Sequence, residues 1–149
     1  MVQKEISLRE RALAMLARRG HTRAEMTRKL SLHAESPEQV EQLLDALVAR
    51  GWLSETRFAE SRANTLARKF GSRKIEHDLR TRGVPAEVVE QAVERALAQE
   101  LENCHAAWQR KFGVLPQSAA ERGRQMRFLA GRGFSAEAVR QVLKAGDAD

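Results

Sequence analysis

One short sequence pattern occurs three times in this chain, at residues 40–44, 89–93 and 139–143. The copies read VEQLL, VEQAV and VRQVL, and they lie 49 and then 50 residues apart. Two flanking positions repeat with them, a glutamate two residues before each copy and a leucine ten residues before it. These residues are Glu38, Glu87 and Glu137, and Leu30, Leu79 and Leu129. A period of this size predicts a tandem array of small helical units.

A small helical unit cannot bury its apolar face alone, so neighbouring units have to stack. We therefore predict an all-α fold, with three tandem three-helix repeats stacked into an elongated, curved body that has one continuous core. The predicted units are residues 1–53, 54–103 and 104–149. A long body of this kind is better suited to binding a large partner than to enclosing a small substrate.

Capping residues and apolar spacing place the individual helices. Thr22, followed three residues later by Glu25, has the pattern of a capping box, and Ser54 is a good cap for the fourth helix. The sequence does not locate the break between the sixth and seventh helices, and it predicts a frayed end from Gly146 onward. The clearest predicted helices are residues 5–19, 54–69, 119–130 and 136–144.

Composition limits the class of protein. Hydrophobic residues make up 42% and aromatic residues only 5%, which is typical of closely packed, alanine-rich helices. The single cysteine, Cys104, excludes an intramolecular disulfide. No apolar run is long enough to span a membrane, and the first residues lack an apolar signal segment. We therefore expect a cytoplasmic monomer with no membrane partner.

The charge alternates along the chain with the repeat. The formal net charge is +6, and residues 9–29, 62–83 and 105–133 each carry an excess of five positive charges. Acidic stretches lie between them. These basic residues have two interpretations. In the first they cap the C-terminal ends of their helices and stay solvated. In the second, stacked repeats bring those of the second and third units onto one ridge that contacts phosphates or an acidic protein groove. This predicted basic ridge comprises Arg68, Lys69, Arg73, Lys74, Arg80, Arg82, Arg110, Lys111, Arg122, Arg124 and Arg127.

No constellation of residues indicates catalysis. The four histidines have no metal-ligand spacing with each other or with Cys104. Residues 71–74 read GSRK, but no strand precedes them and no phosphate-loop pattern surrounds them. We therefore predict a protein that is not an enzyme and that uses no cofactor or metal. Of the two tryptophans, Trp52 is predicted to fill a gap between helices and Trp108 to lie in the core.

Three stretches resemble the RecX family of bacterial recombinase regulators. The first is residues 12–30, which read ALAMLARRGHTRAEMTRKL. The second is residues 51–59, GWLSETRFA, and the third is residues 71–79, GSRKIEHDL, followed by Arg82, Gly83 and Val84. Ser54 stands where the family usually has an acidic residue, and Ser72 stands where it usually has Pro or Arg. The third unit is similar mainly through the repeat itself.

This resemblance implies a fold and a function. Members of the family are built from tandem three-helix repeats, bind the RecA–single-stranded-DNA filament, and inhibit the ATPase, strand-exchange and coprotease activities of RecA. It therefore implies a regulator of recombinational DNA repair and of the SOS response, with RecA as the partner. The sequence does not decide whether such a regulator contacts DNA directly, or whether it caps the end of the filament or binds along its groove.

Two other classes of protein remain as alternatives. The first is a helix-turn-helix DNA-binding protein, although its recognition helix would carry Glu38, Glu41 and Asp45 towards solvent. An acidic face is poorly suited to a phosphate-lined groove. The second alternative is a helical-repeat scaffold for another protein.

Overall fold

The structure, a computed structural model, describes residues 6–144 and contains nine α-helices and no strand within that range. The helices are α1 (Leu8–Arg18), α2 (Arg23–Ser31), α3 (Pro37–Ala49), α4 (Glu55–Ala67), α5 (Ser72–Thr81), α6 (Ala86–Ala98), α7 (Glu100–Lys111), α8 (Ala119–Gly131) and α9 (Ala136–Lys144). They form three tandem three-helix units, which confirms the predicted fold class. The end predicted to fray, from Gly146, lies outside the described residues.

Side chains of serine and threonine set most of the helix starts. The hydroxyl of Thr22 accepts the N–H of Glu25, and the carboxylate of Glu25 accepts the N–H of Thr22, so the predicted capping box is present. Ser54 caps α4 in the same way as predicted. The first helix starts later than predicted because Ser7 acts as its cap, accepting the N–H of Glu10 at 3.1 Å.

The break that the sequence left unplaced lies at Gln99, the single residue between α6 and α7. The boundary of the third unit drawn at residue 104 therefore falls inside α7, and a division at Gln99 fits the helices better. The fourth helix also ends earlier than predicted, at Ala67 and not at residue 69. Residues 68–71 connect it to α5, which begins at Ser72.

The prediction of one continuous core is wrong, because the buried apolar residues form three separate clusters. Each cluster belongs to one unit. One contains Met26, Leu30 and Leu44 of the first unit. A second is built on Ile75 and Leu79, and the third surrounds Leu129. The contacts between units therefore have to come from something other than a shared apolar interior.

The sequence period follows from equivalent core positions in the three units. The repeated leucines and valines all point into the core of their own unit and are at most 3% exposed. The repeated glutamates lie in the first turn of the third helix of each unit, where a negative charge is favoured by the helix dipole. The buried residues are Leu30, Leu79 and Leu129, and Val40, Val89 and Val139.

Two polar joints connect the units in series. At the first joint the hydroxyl of Thr22, the N-cap of α2, donates to the carbonyl of Arg82 at 2.7 Å. At the second joint the N–H of Gly71, the N-cap of α5, donates to the carbonyl of Arg132 at 2.9 Å. Arg82 and Arg132 are the C-cap residues of α5 and α8. Each joint therefore places the start of one second helix against the end of the next.

A glutamate completes each joint, half-buried at the first and buried at the second. Glu55 is the first residue of α4 and accepts the N–H of Arg23, the first residue of α2. Glu100 is the first residue of α7 and accepts the N–H and the hydroxyl of Ser72, both at 2.8 Å. A carboxylate is well placed there, because the first N–H groups of a helix have no partner within the helix.

The second joint is packed too closely for a side chain at Gly71. A Cβ atom there would lie 2.5 Å from the carbonyl oxygen of Gly133. The φ of Gly71 is −90°, so it is space and not backbone conformation that requires glycine at this position.

The two tryptophans differ in burial. Trp108 lies in the core of the third unit, as predicted, and its indole N–H donates to the side-chain oxygen of Gln125 at 2.8 Å. The prediction for Trp52 is wrong, because this residue is 45% exposed. Its ring lies beneath the guanidinium groups of Arg9 and Arg50.

Candidate partner-binding surface

The second joint brings together several members of the basic ridge. Arg68 is the C-cap of α4, and Lys74 lies in the first turn of α5. The last turn of α7 carries Arg110 and Lys111, and the guanidinium of Arg110 donates to the carbonyl oxygen of Arg68. Basic residues from three helices of two units therefore meet at one place.

Three phenylalanines organise these cations. The rings of Phe112 and Phe128 pack edge to face with centroids 5.4 Å apart. Lys111 lies 5.4 Å from the ring centroid of Phe128, and Lys74 lies 5.9 Å from that of Phe70. Cation–π contacts of this length hold the charged heads near the rings without neutralising them.

Arg132 occupies the centre of this surface, and the sequence prediction did not include it. Its guanidinium lies 5.3 Å from the ring of Phe70 and 5.0 Å from that of Phe128. The signal that points to it is the repeat, because Arg132-Gly133 follows Arg82-Gly83 by 50 residues. We refer to Arg68, Lys74, Arg110, Lys111, Arg132, Phe70, Phe112 and Phe128 together as the second-joint cluster.

The remaining ridge residues near this joint lie on its flanks. Lys69 and Arg73 are exposed beside Arg68 and Lys74. Arg122, Arg124 and Arg127 project from α8; Arg122 is half-buried and the other two are exposed. Arg124 and Lys111 line a groove of 370 Å³ between the end of α7 and the start of α8.

Arg80 and Arg82 are separated from the rest of the ridge. They lie at the far end of α5, about 10 Å along the helix from Arg73 and Lys74. Arg80 pairs with Glu76 one helical turn away at 2.9 Å. Arg82 faces the first unit and takes part in the first joint. The structure therefore does not place these two side chains on one surface with the second-joint cluster.

An ionic network crosses the first joint. Arg62 makes two hydrogen bonds to Asp78, at 2.9 and 3.0 Å, and Arg82 reaches the same carboxylate at 3.2 Å. Arg82 also lies 3.5 Å from Glu25, which in turn is 3.5 Å from Arg19. Three arginines and two carboxylates thus alternate from one unit to the next.

The network changes the proton affinities of its members. The hydrogen bonds between Arg62 and Asp78 lower the pKa of Asp78 and raise that of Arg62. Burial acts to raise the pKa of Glu25, but the N–H of Thr22 and the charge of Arg19 outweigh it and leave that pKa lowered. Glu55 has a raised pKa because burial outweighs its bond to the N–H of Arg23.

The outer face of α3 is acidic. Glu38, Glu41 and Asp45 are all exposed, and the only ion pair recorded for them within residues 6–144 joins Asp45 to Arg23 at 2.7 Å. The helix that would be the recognition helix of a helix-turn-helix protein therefore presents negative charge to solvent. This observation favours the second-joint cluster over α3 as a surface for an anionic partner.

The described residues contain no group of three or more His, Cys, Asp or Glu side chains that could hold a metal ion. Cys104 is fully buried, and burial raises the pKa of its thiol to about 12. A thiol in that state is a packing residue and not a nucleophile. From residue 6 to residue 144, no helix is both long and apolar enough to cross a membrane.

Comparison with known proteins accounts for all three units. Family models described as the first, second and third three-helix domains of RecX match residues 9–47, 54–93 and 98–143. The chain belongs to the RecX family. A regulatory protein RecX from Leptothrix cholodnii is 45% identical over 143 residues, covering 96% of this chain and 91% of the relative. The RecX of Ralstonia nicotianae is 40% identical over 146 residues, covering 98% and 92%.

Solved RecX structures share the fold. The crystal structure of RecX from Lactobacillus salivarius superposes with a TM-score of 0.81 at 17% identity, covering 95% of this chain and 96% of that one. A second RecX crystal structure gives a TM-score of 0.74 at 19% identity, with 91% and 70% covered. The three-unit arrangement is thus common to RecX chains of widely different sequence.

Proposed function

We propose that this protein regulates RecA by binding the RecA–single-stranded-DNA filament and inhibiting its ATPase, strand-exchange and coprotease activities. The observation that carries the proposal is membership of the RecX family over nearly the whole chain. The relatives carry the name regulatory protein, and the family name implies RecA as the partner. Such a regulator acts in recombinational DNA repair and the SOS response, as a monomer in the cytoplasm.

The second-joint cluster and its exposed flanks are the proposed contact surface. They present cations from α4, α5, α7 and α8 on both sides of one joint, and the rings beneath them limit how far the charged heads move. A filament offers phosphates and acidic protein surface, both of which attract such a patch. A body of three units in series can span neighbouring RecA subunits and hinder the movements that accompany ATP turnover.

The test is the DNA-dependent ATPase rate of the cognate RecA as the protein is titrated in. We expect inhibition, and inhibition at far fewer copies than RecA would favour end-capping or filament loss over one-to-one blocking. An unchanged rate up to equimolar protein, with helical circular dichroism intact, would contradict the proposal.

A charge variant tests the surface. Arg68, Lys69 and Arg73 are changed together to Gln, because their side chains are exposed and the joint uses only main-chain atoms of Arg68 and Arg73. Lys74 is left intact, since its side chain packs against Gly133. We expect inhibition to need about tenfold more protein, as charge-assisted contacts are lost.

The matched control changes Arg18, Arg28 and Lys29 to Gln. These residues are equally exposed and belong to the first unit, outside the proposed surface. The control removes the same charge, so a general electrostatic effect would weaken both variants alike. Equal inhibition by wild type and by the folded Arg68/Lys69/Arg73 variant would rule out this surface.

A further inference from the structure

A cleft of 510 Å³ lies between the first and second units, at the C-terminal end of α5, whereas the second-joint cluster lies at its N-terminal end. The ends of α1 and α3 form one wall, and α4 forms the other. Its walls carry four arginines, and among the described residues its lining contains no aspartate or glutamate. The four arginines are Arg19, Arg57, Arg62 and Arg82.

Carboxylates behind the walls hold two of these arginines in place. Asp78 binds Nε and one terminal nitrogen of Arg62, and Arg82 uses Nε for Asp78 and one terminal nitrogen for Glu25. A guanidinium has five N–H groups, so each of these arginines keeps donors that its partners do not use. Arg57 is exposed, and within residues 6–144 its side chain bonds only to the carbonyl of Gly51, at 2.5 Å.

The charge balance of the cleft stays positive. Four arginines line it, and the two carboxylates of the network offset two of their charges, which leaves an excess of two. The mouth adds more positive charge, because Arg9 and Arg50 lie 5.6 and 5.4 Å from the ring centroid of Trp52, which lines the cleft. His21 does not add to it near neutral pH, since burial lowers its pKa.

We infer that this cleft binds the phosphate groups of nucleotides, with spare N–H groups of Arg57, Arg62 and Arg19 as donors. Planar guanidinium groups match phosphate oxygens in geometry, and those whose other nitrogens are already bound lose little freedom on binding. The aromatic residues of the wall, Trp52 and Phe58, offer apolar contact to the sugar or base attached to the phosphate. A single strand and a free nucleotide share this chemistry, and we expect the strand to bind more tightly because it offers several phosphates.

The fluorescence of Trp52 can report on binding in the cleft. Its indole is 45% exposed at the cleft, whereas Trp108, the only other tryptophan, is 6% exposed in the core of the third unit. The full-length protein, without RecA, is titrated with a fifteen-residue oligo(dT), with dTTP and with inorganic phosphate. We expect oligo(dT) to change the fluorescence, and the Trp52→Phe variant to lose that change. The apparent affinity should fall as salt is raised.

Substitutions of Arg57 test whether oligo(dT) binds in the cleft. Arg57→Ala is expected to weaken oligo(dT) binding about tenfold, and Arg57→Lys to keep part of it by keeping the charge. Arg95→Ala is the matched control, because Arg95 is an exposed arginine of the same unit whose one ion pair in the described part of the chain is with Glu60, at 2.6 Å. Circular dichroism confirms that each variant is folded.

The outcomes separate the possibilities. A response to dTTP but not to oligo(dT) would support a phosphate site filled by free nucleotides. No response to any probe, or equal affinity for Arg57→Ala and wild type, would overturn the inference. These measurements contain no RecA, so their failure would leave the proposed regulation untouched, and a failed ATPase test would leave the cleft untouched.

Discussion

Arg82 and Arg132 lie 50 residues apart and cap the ends of equivalent helices, but one guanidinium group pairs with carboxylates and the other with aromatic rings. Arg82 lies against the carboxylates of Asp78 and Glu25, whereas Arg132 lies over the rings of Phe70 and Phe128. At each joint the carbonyl of the C-cap residue accepts a hydrogen bond from the preceding unit. The side chains around that bond form an ionic network at the first joint and cation–π contacts at the second.

This difference predicts different salt dependences. We expect Arg82→Ala to destabilise the protein most at low salt, and its cost to shrink between about 0.05 and 0.5 M NaCl as the ion pairs of the wild type are screened. Arg132→Ala should cost about 1 kcal/mol at both concentrations, because cation–π contacts and packing are less sensitive to salt. Urea unfolding at the two concentrations measures both. Parallel salt curves for the two variants would show that the joints do not differ in this way.

Acid should weaken the first joint through Asp78. Its pKa is lowered in the folded state, mainly by the hydrogen bonds from Arg62. The stability it contributes is therefore complete above its unfolded pKa, near 4, and is lost as pH falls through the folded value. Asp78→Asn should cost about 1–2 kcal/mol at pH 7 and should flatten the acid side of the stability curve.

Glu76→Gln is the control for Asp78. Glu76 also pairs with an arginine on α5, but that pair is exposed. The change should cost less than about 0.5 kcal/mol. Thermal unfolding between pH 3 and 7 compares the two, and an Asp78→Asn curve that keeps the wild-type acid slope would exclude Asp78 as its source.

Substitutions of Glu100 test the contribution of its carboxylate to the second joint. Glu100 is 4% exposed and accepts both donors of Ser72 at 2.8 Å. Glu100→Ala should cost about 2–3 kcal/mol because two buried donors lose their partner, and Glu100→Gln should cost less since its amide oxygen can still accept. Exposed Glu102 on the same helix provides the neutral control. Chemical denaturation gives the costs, and equal losses for Glu100→Ala and Glu102→Ala would contradict this role.

The separate cores predict local unfolding. Leu129 is fully buried in the third unit, so Leu129→Ala should cost about 2–5 kcal/mol. Amide exchange should then rise over α7–α9 while α1–α3 keep their protection. Leu97→Ala, at a position 53% exposed, should change little. A uniform rise along the chain after Leu129→Ala would indicate one cooperative core instead.

The helices and the three units can be predicted from the sequence, because both depend on local signals. Leu30, Leu79 and Leu129 are each buried in the core of their own unit, so the repeat in the sequence identifies all three. The capping box at Thr22 and Glu25 likewise lies within four consecutive residues. Patterns of this kind are visible before any tertiary contact is known.

The joints are harder to predict, since a period shows repetition but not what lies between the copies. Glu55 and Glu100 begin helices, which is ordinary for glutamate, and nothing local shows that they bind the preceding unit. A charge count places Arg82 in the basic ridge because it cannot distinguish a cation held by Asp78 from a free one. The same count gives no reason to single out Arg132, whose partners are the rings of Phe70 and Phe128.

The glutamates at the joints also give the molecule a polarity. In both cases the later unit supplies the carboxylate that accepts N–H groups at the start of the earlier unit's second helix. The start of α8, the second helix of the third unit, is capped by residues of its own unit, Ser118 and Glu121. The body therefore has a head and a tail that differ chemically, and a partner assembled from repeated, oriented subunits would fit it in one direction only.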